Sequence, residues 1–200
     1  MIKGIIFDLS GPIMTEDTDI IFEKHSLHKG LEENAIKKLI KEYYHGAHQG
    51  EFKDIADFFE KTKPSIAITV QELNEVMEEM HATKRINPEM VKLILELRKK
   101  YKVALLTNFT SDLERFLKDM FNIYHIFDIV VNSYDIKAKK PDAEAFNYTL
   151  KKLDLEPQET VFIDDKEENV EGAQKLGIKS IVYKDFAQFK KDFTQALVNF

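Results

Sequence analysis

The sequence predicts a doubly wound parallel α/β sheet carrying an inserted all-helical segment, and three observations predict it. From residue 87 onward, short apolar runs rich in β-branched residues alternate with amphipathic stretches of helical spacing. An isolated run of the same strand type opens the chain at 2–8, and the residues between, 15–86, show only helical periodicity. Strand–helix alternation at this spacing requires right-handed crossovers, so the first strand joins the sheet formed after residue 100.

Taken in order, Ile5, Ile6 and Phe7 suit a strand covered on both faces, and the run stops at Asp8 before Gly11 and Pro12. A charge directly after such a run is costly unless a cation, a hydrogen-bond network or a reaction uses it. Taken alone, Asp8 reads more readily as a carboxylate capping a turn beside a glycine than as a catalytic group. About four helices follow: Ile36, Ile40, Tyr43 and Tyr44 mark one face, Phe58 and Phe59 a shorter one, and Leu73, Val76, Met77 and Met80 another, with a break at Lys63-Pro64-Ser65. Asn87 and Pro88 start a helix faced by Met90, Leu93, Ile94 and Leu97.

Lys102 to Thr107 is a strand, and Ser111 with Glu114 forms a capping box for a helix whose inner face is Leu113, Phe116, Leu117 and Met120. Phe127 to Val131 is a strand, Asp142 to Leu153 a helix, and Thr160 to Ile163 a strand. Val170, Ala173 and Leu176 mark a helix that Gly177 closes, Ser180 to Tyr183 is the last strand, and Phe186, Phe189, Phe193 and Leu197 face inward from a C-terminal helix. The predicted division is 1–14 with 87–200 as the sheet domain and 15–86 as the insertion.

Composition narrows the function. Two hundred residues suffice for one domain with an inserted subdomain. The absence of cysteine excludes zinc–thiolate sites, disulfide frameworks and cysteine nucleophiles. It also favours a cytoplasmic address, and neither a signal peptide nor a run of membrane-spanning length is visible. A formal charge of −6 with scattered lysines predicts no nucleic-acid surface. The chain is expected to act as a monomer or homodimer.

Ligands of an open parallel sheet bind beyond the carboxyl ends of the strands, so the residues that follow each apolar run are informative. They are Asp8, Thr107 with Asn108, and Asp164 with Asp165, while Lys139-Lys140-Pro141 opens the helix after the third strand. Carboxylates gathered at one sheet edge repel each other unless a cation sits among them, and an oxygen-only donor set favours Mg²⁺. A lysine and a threonine hydroxyl in the same place are what a phosphoryl group needs.

These residues carry a resemblance to the haloacid dehalogenase superfamily over the whole chain. IIFDLSG resembles its first motif, LLTN its second, KKPDAEAF its third and VFIDDKEENVEGAQKLG its fourth. The resemblance implies a Rossmann-like core with a helical cap between the first two motifs, and the pattern is closest to the small sugar-phosphate phosphatase-like members. It further implies a Mg²⁺-dependent phosphatase of a small soluble phosphate, with Asp8 as the nucleophile that forms an aspartyl-phosphate. By the same resemblance the Ser10 carbonyl binds the metal, Gly11 lies beside the substrate, and Thr107 and the Asn108 backbone hold the phosphoryl oxygens. Lys140 balances the charge, with Lys139 its solvated neighbour. Asp165 binds the ion with Asp164 as ligand or supporting partner, and Asn169 orders the loop.

Two departures stand out. Ser10 occupies the position where the family's phosphatases usually carry an acid–base aspartate, and general acid–base help is typically worth about 10²–10⁴-fold in rate. Pro12 replaces the usual Thr or Val, removing a backbone donor and stiffening the turn. The first leaves three outcomes open: easier leaving groups, a proton supplied from the cap, or a binding protein without turnover. Tyr44, His45 and His48 lie beside Gly46 and Gly50 in the helical segment, so His45 and His48 are candidate substrate contacts and proton donors. Haloacid dehalogenation is the competing reaction, and the paired Asp164-Asp165 speaks against it.

Overall fold

The structure, a computed structural model, describes residues 1–32 and 34–198. Position 33 and the last two residues of the expected sheet domain, 199 and 200, lie outside the described residues. In chain order the elements are β1 (Gly4–Phe7), β2 (Met14–Thr15), α1 (Asp19–His28), α2 (Ala35–Ala47), α3 (Ile55–Thr62), α4 (Val70–Thr83) and β3 (Arg85–Ile86). There follow α5 (Pro88–Leu97), β4 (Lys102–Thr107), α6 (Leu113–Arg115), β5 (Ile129–Asn132), α7 (Ser133–Ile136), α8 (Ala143–Leu153), β6 (Thr160–Asp164), α9 (Glu167–Lys175), β7 (Lys179–Val182) and α10 (Phe186–Val198).

The main sheet is parallel, in the order β5-β4-β1-β6-β7. β1 is central, and the chain winds outward from it first through β4 and β5, then through β6 and β7. The switch point at the carboxyl end of β1 is therefore the crevice where such a sheet accepts a ligand. Both faces are covered, as the unbroken apolar runs require. Ile5, Phe7, Val103, Leu105, Val161 and Ile163 pack with α5, α6 and α10 through Met90, Ile94, Leu113, Phe189 and Phe193. Ile6, Ala104, Leu106 and Phe162, the alternate positions, pack with α8 and α9 through Phe146, Leu150 and Ala173.

Helices α1 to α4 build a separate apolar cluster from Phe22, Ile36, Ile40, Tyr43, Phe58, Leu73, Val76 and Met80. Thr69 and Glu72 form the capping box of α4, and the Asn87 side chain accepts from the Glu89 and Met90 amides to start α5 behind Pro88. The chain enters and leaves this four-helix segment through one antiparallel ribbon, Met14 opposite Ile86 and Thr15 opposite Arg85. That ribbon is absent from the sequence reading, because two-residue strands are too short to show a period.

Three local expectations are corrected. Ser111 and Glu114 do not form a capping box: Ser111 Oγ donates to the Lys53 carbonyl, and Thr110 Oγ1 bonds Asp112, the residue ahead of α6. The helix then widens into a π turn over Phe116–Met120. A wider turn rotates later residues off the shared face, so Leu113, Phe116 and Leu117 are buried while Met120 is 48% exposed. The third strand begins at Ile129 rather than Phe127, because Tyr124–Ile126 closes a 3₁₀ turn that buries Phe127 before pairing begins.

Candidate active site

Asp8 is the residue after β1, and its amide still bonds the Ile163 carbonyl at 2.8 Å, so the sheet ladder fixes its backbone. The turn behind it closes through Gly11 N–H to Met14 O at 2.7 Å and through the Ile13 and Met14 amides to Leu9 O. Pro12 stands at the position whose donor this turn does not use. Ser10 is exposed and lines the cavity over the strand ends.

Lys140 is the centre of the charge arrangement. Its Nζ lies 2.6 Å from Asp8 Oδ1 and 2.6 Å from Asp164 Oδ2, with all three residues buried. The Asn108 side chain clamps the lysine's backbone, accepting from Lys140 N–H at 2.9 Å and donating to Lys140 O at 3.0 Å. The sequence assigns Asn108 only a backbone role, and nothing local to it signals a side-chain clamp on a residue 32 positions away. Thr107 ends β4, buried at the cavity wall.

Asp164 ends β6 with both oxygens engaged. Besides Lys140, it accepts from Asn169 Nδ2 at 3.0 Å on each oxygen and from the Lys166 amide at 2.9 Å. Asn169, on α9, is thus the residue that orders this end of the sheet. Asp165 differs: among the described residues its carboxylate takes only its own backbone N–H, and it lines the cavity.

Two carboxylates against one ammonium leave the buried trio negative. Desolvation pushes Asp8 up to about 6, with Asp164 adding to the shift and Lys140 opposing it. Burial works to neutralise Lys140 as well, but the attraction of Asp8 and Asp164 wins and raises its pKa, so it stays charged. Asp165 is raised by desolvation and by Asp164.

Asp8, Asp164 and Asp165 each offer an oxygen within 4.8 Å of the others, a donor set suited to a hard divalent cation. Asn169 Oδ1, also at the cavity, is buried without a partner among the described residues and calls for a donor such as water. Asp164 accepts four hydrogen bonds, so within this set Asp8 and Asp165 carry the less occupied oxygens. Magnesium therefore fits.

Gly11 makes the fit close. Its φ of +84° is left-handed, and an added Cβ would meet Asp165 Cβ at 2.6 Å and Cγ at 2.8 Å. Gly11→Ala is expected to cost about 1–3 kcal/mol from the backbone alone. It should also displace Asp165, so the thermal stabilisation given by Mg²⁺ is expected to shrink with it; an unchanged shift in a melting series with the metal would contradict this.

A cavity of about 490 Å³ lies over these residues. Its roof comes from the four-helix segment and the ribbon, through Tyr44, His48, His81, Lys84 and Glu16. The Tyr44 and His48 rings stack at 5.3 Å and 20°, the i, i+4 spacing that the sequence already showed. Burial raises the Tyr44 pKa and lowers His48 to about 4 with help from Lys166, Lys139, His45 and Lys140, which favours the neutral imidazole with one ring N–H. His45 is exposed outside the cavity lining, its Nδ1 3.4 Å from Lys139 Nζ. Lys84, buried and paired with Glu16, and His81 were passed over in the sequence. Neither belongs to a motif, and only folding brings the end of α4 over the strand ends.

An aspartate held this firmly at the switch point of a doubly wound sheet, with a lysine on one side and room for a cation on the other, marks an α/β enzyme rather than a turn cap. The chain belongs to the haloacid dehalogenase-like hydrolase family, whose model matches residues 2–177. It is 27% identical over 208 aligned positions to the D-ribitol-5-phosphate phosphatase of Bacteroides thetaiotaomicron, covering 98% of this chain and 99% of that one. It is 26% identical to the glyceraldehyde 3-phosphate phosphatase of Methanocaldococcus jannaschii, covering 90% of this chain and 84% of the relative. A crystal structure of a family enzyme from B. thetaiotaomicron, a magnesium complex, superposes with a TM-score of 0.76 at 23% identity, covering 95% of this chain and 98% of that one, and so shares the fold. Among the described residues no helix is long and apolar enough to cross a membrane.

Proposed function

We propose that this protein is a Mg²⁺-dependent phosphatase of a small soluble phosphate such as a sugar phosphate, working through an aspartyl-phosphate on Asp8. The observation that carries this reading is Lys140 bridging Asp8 and Asp164 at 2.6 Å each beside an uncommitted Asp165. The names of the two phosphatase relatives agree with it. Asp8 attacks phosphorus as the P–O bond to the leaving group breaks. Thr107 and the Asn108 backbone hold the phosphoryl oxygens, and Lys140 keeps the nucleophile ionised and opposes the charge that develops. The ion, held by Asp8, Asp165 and the Ser10 carbonyl, would supply the remaining positive charge. Asp164 acts on Lys140 rather than on the metal, because its oxygens are already bonded. Residues 15–86 form a cap that excludes water over the strand ends, bounded by the ribbon at 14–15 and 85–86.

Ser10 sets the chemistry apart. A serine has no useful acidity near neutral pH, so leaving groups must depart largely unassisted. Anomeric sugar and aryl phosphates are therefore expected to react about 10²–10⁴-fold faster than alkyl phosphates, with all activity lost to a chelator. Equal rates across the three classes would remove the missing-acid reading. Tight phosphate binding with no hydrolysis of any class, even after Ser10→Asp, would instead make this a phosphate-binding member of the family. Chloride release without metal would favour the dehalogenase.

A further inference from the structure

Besides the Asp8 centre, four neutral or acidic groups that can exchange protons line the cavity, and three of them are committed elsewhere. Glu16 is paired with the buried Lys84. The Tyr44 hydroxyl is held protonated by burial. His81 packs edge-on against Phe116 at 5.7 Å, and the charges that reach it are Lys84, Asp112, Glu16 and Glu78, none of which touches Asp8.

His48 is the exception. The charges that reach it are Lys166, Lys139, His45 and Lys140, and Lys140 is the group that holds Asp8 while Lys166 follows Asp165. Its ring is oriented by the Tyr44 stack, and among the described residues nothing hydrogen-bonds either ring nitrogen, so both are open to water in the cavity. The backbone there is tightly placed. Gly46 admits the Phe52 ring where any Cβ would collide, and Gly50, at φ +73°, brings the turn within 3.1 Å, measured from a built Cβ, of the Tyr134 carbonyl beyond β5. The end of α2 is thereby pressed onto the strand-end loops with His48 facing the site.

Resting on the phosphatase reading, we propose that His48 is the general base of the second half-reaction, the hydrolysis of phospho-Asp8. Water oxygen bonds to phosphorus, the P–O bond to Asp8 breaks and returns the carboxylate, and the water proton passes to an imidazole nitrogen. Inorganic phosphate leaves, and the imidazolium loses its proton to solvent. Burial and the charges around it lower the His48 pKa. A ring lowered in this way rests unprotonated, so it can accept the water proton but gives the departing alkoxide none. This is why hydrolysis of the intermediate can be assisted while release of the leaving group is not.

The test is pre-steady-state hydrolysis of p-nitrophenyl phosphate with Mg²⁺ by the wild type, His48→Gln and His48→Glu. In His48→Gln a burst of about one equivalent of nitrophenol is expected at the wild-type rate, followed by turnover slowed about 10²-fold, at the low end for general base catalysis. ³²P-labelled substrate should leave label on Asp8. His48→Glu, which restores a carboxylate of ordinary basicity, is expected to recover most of the turnover and lose the accumulated label. Unchanged turnover in His48→Gln, or a loss that falls on the burst itself, would overturn the assignment. A failed His48→Glu rescue alongside trapped label would also count against a base role. If the wild type forms label and turns over while His48→Gln does the same, only His48 is removed; if the wild type never forms label, the phosphatase reading falls and takes this with it.

Discussion

Asp8→Asn is expected to abolish phosphate-ester hydrolysis, by about 10⁴-fold or more, while leaving the protein folded. The size follows from removing the nucleophile of a two-step reaction, for which no neighbouring group can substitute. Folding should survive because the ionised Asp8 is not a net asset where it sits: burial and Asp164 push its pKa up to about 6 against the pull of Lys140. The amide keeps the volume and removes the repulsion from Asp164, although it also weakens the contact with Lys140. The measurement is a paired one, aryl phosphate turnover with Mg²⁺ and a urea unfolding curve on the same preparation. Turnover retained near the wild-type rate would sink the aspartyl-phosphate mechanism.

Lys140→Met should be the most destabilising single change in the site. It leaves Asp8 and Asp164, 5% and 0% exposed, facing each other with no cation between them. Breaking a buried pair from one side typically costs about 3–5 kcal/mol, since the uncompensated charge remains. Here two carboxylates are stranded, so proton uptake on one of them should offset part of the loss. Asp164→Asn added to Lys140→Met is expected to recover much of the stability and none of the activity, which separates the structural role of the lysine from its chemical one. The midpoint of urea unfolding reads this directly, and a Lys140→Met midpoint equal to wild type would show that the three-way contact contributes nothing.

Much of the site was legible because strand ends are visible in sequence. An apolar run followed by a polar or charged residue marks both the end of a β-strand and the sheet edge where ligands gather, so the sequence alone places Asp8, Thr107 and Asp164. The elements were equally readable where one face is buried along its length, as in α8 and α10. Readings failed where a competing contact set the local geometry. Ser111 gave up its expected cap for the Lys53 carbonyl, and the π turn after α6 carried Met120 to the surface. Neither leaves a periodic trace.

The sequence by itself determined the class of fold, the membership of the first strand in the sheet, and the residues that meet beyond it, because hydrophobic period and strand-end charge are local properties of the chain; the central place of that strand came from the structure. Tertiary structure decided which of those residues are bound to which. It gave Asp164 to Lys140 and Asn169, left Asp165 free beside Gly11, turned the Asn108 side chain onto the Lys140 backbone, and separated His48, in the cavity, from His45, outside it. Most of those outcomes depend on contacts between residues distant in sequence, 24 positions for Asp164 and Lys140 and 32 for Asn108 and Lys140, and a pKa shift such as that of His48 arises only once burial and the lysines of other loops surround the ring.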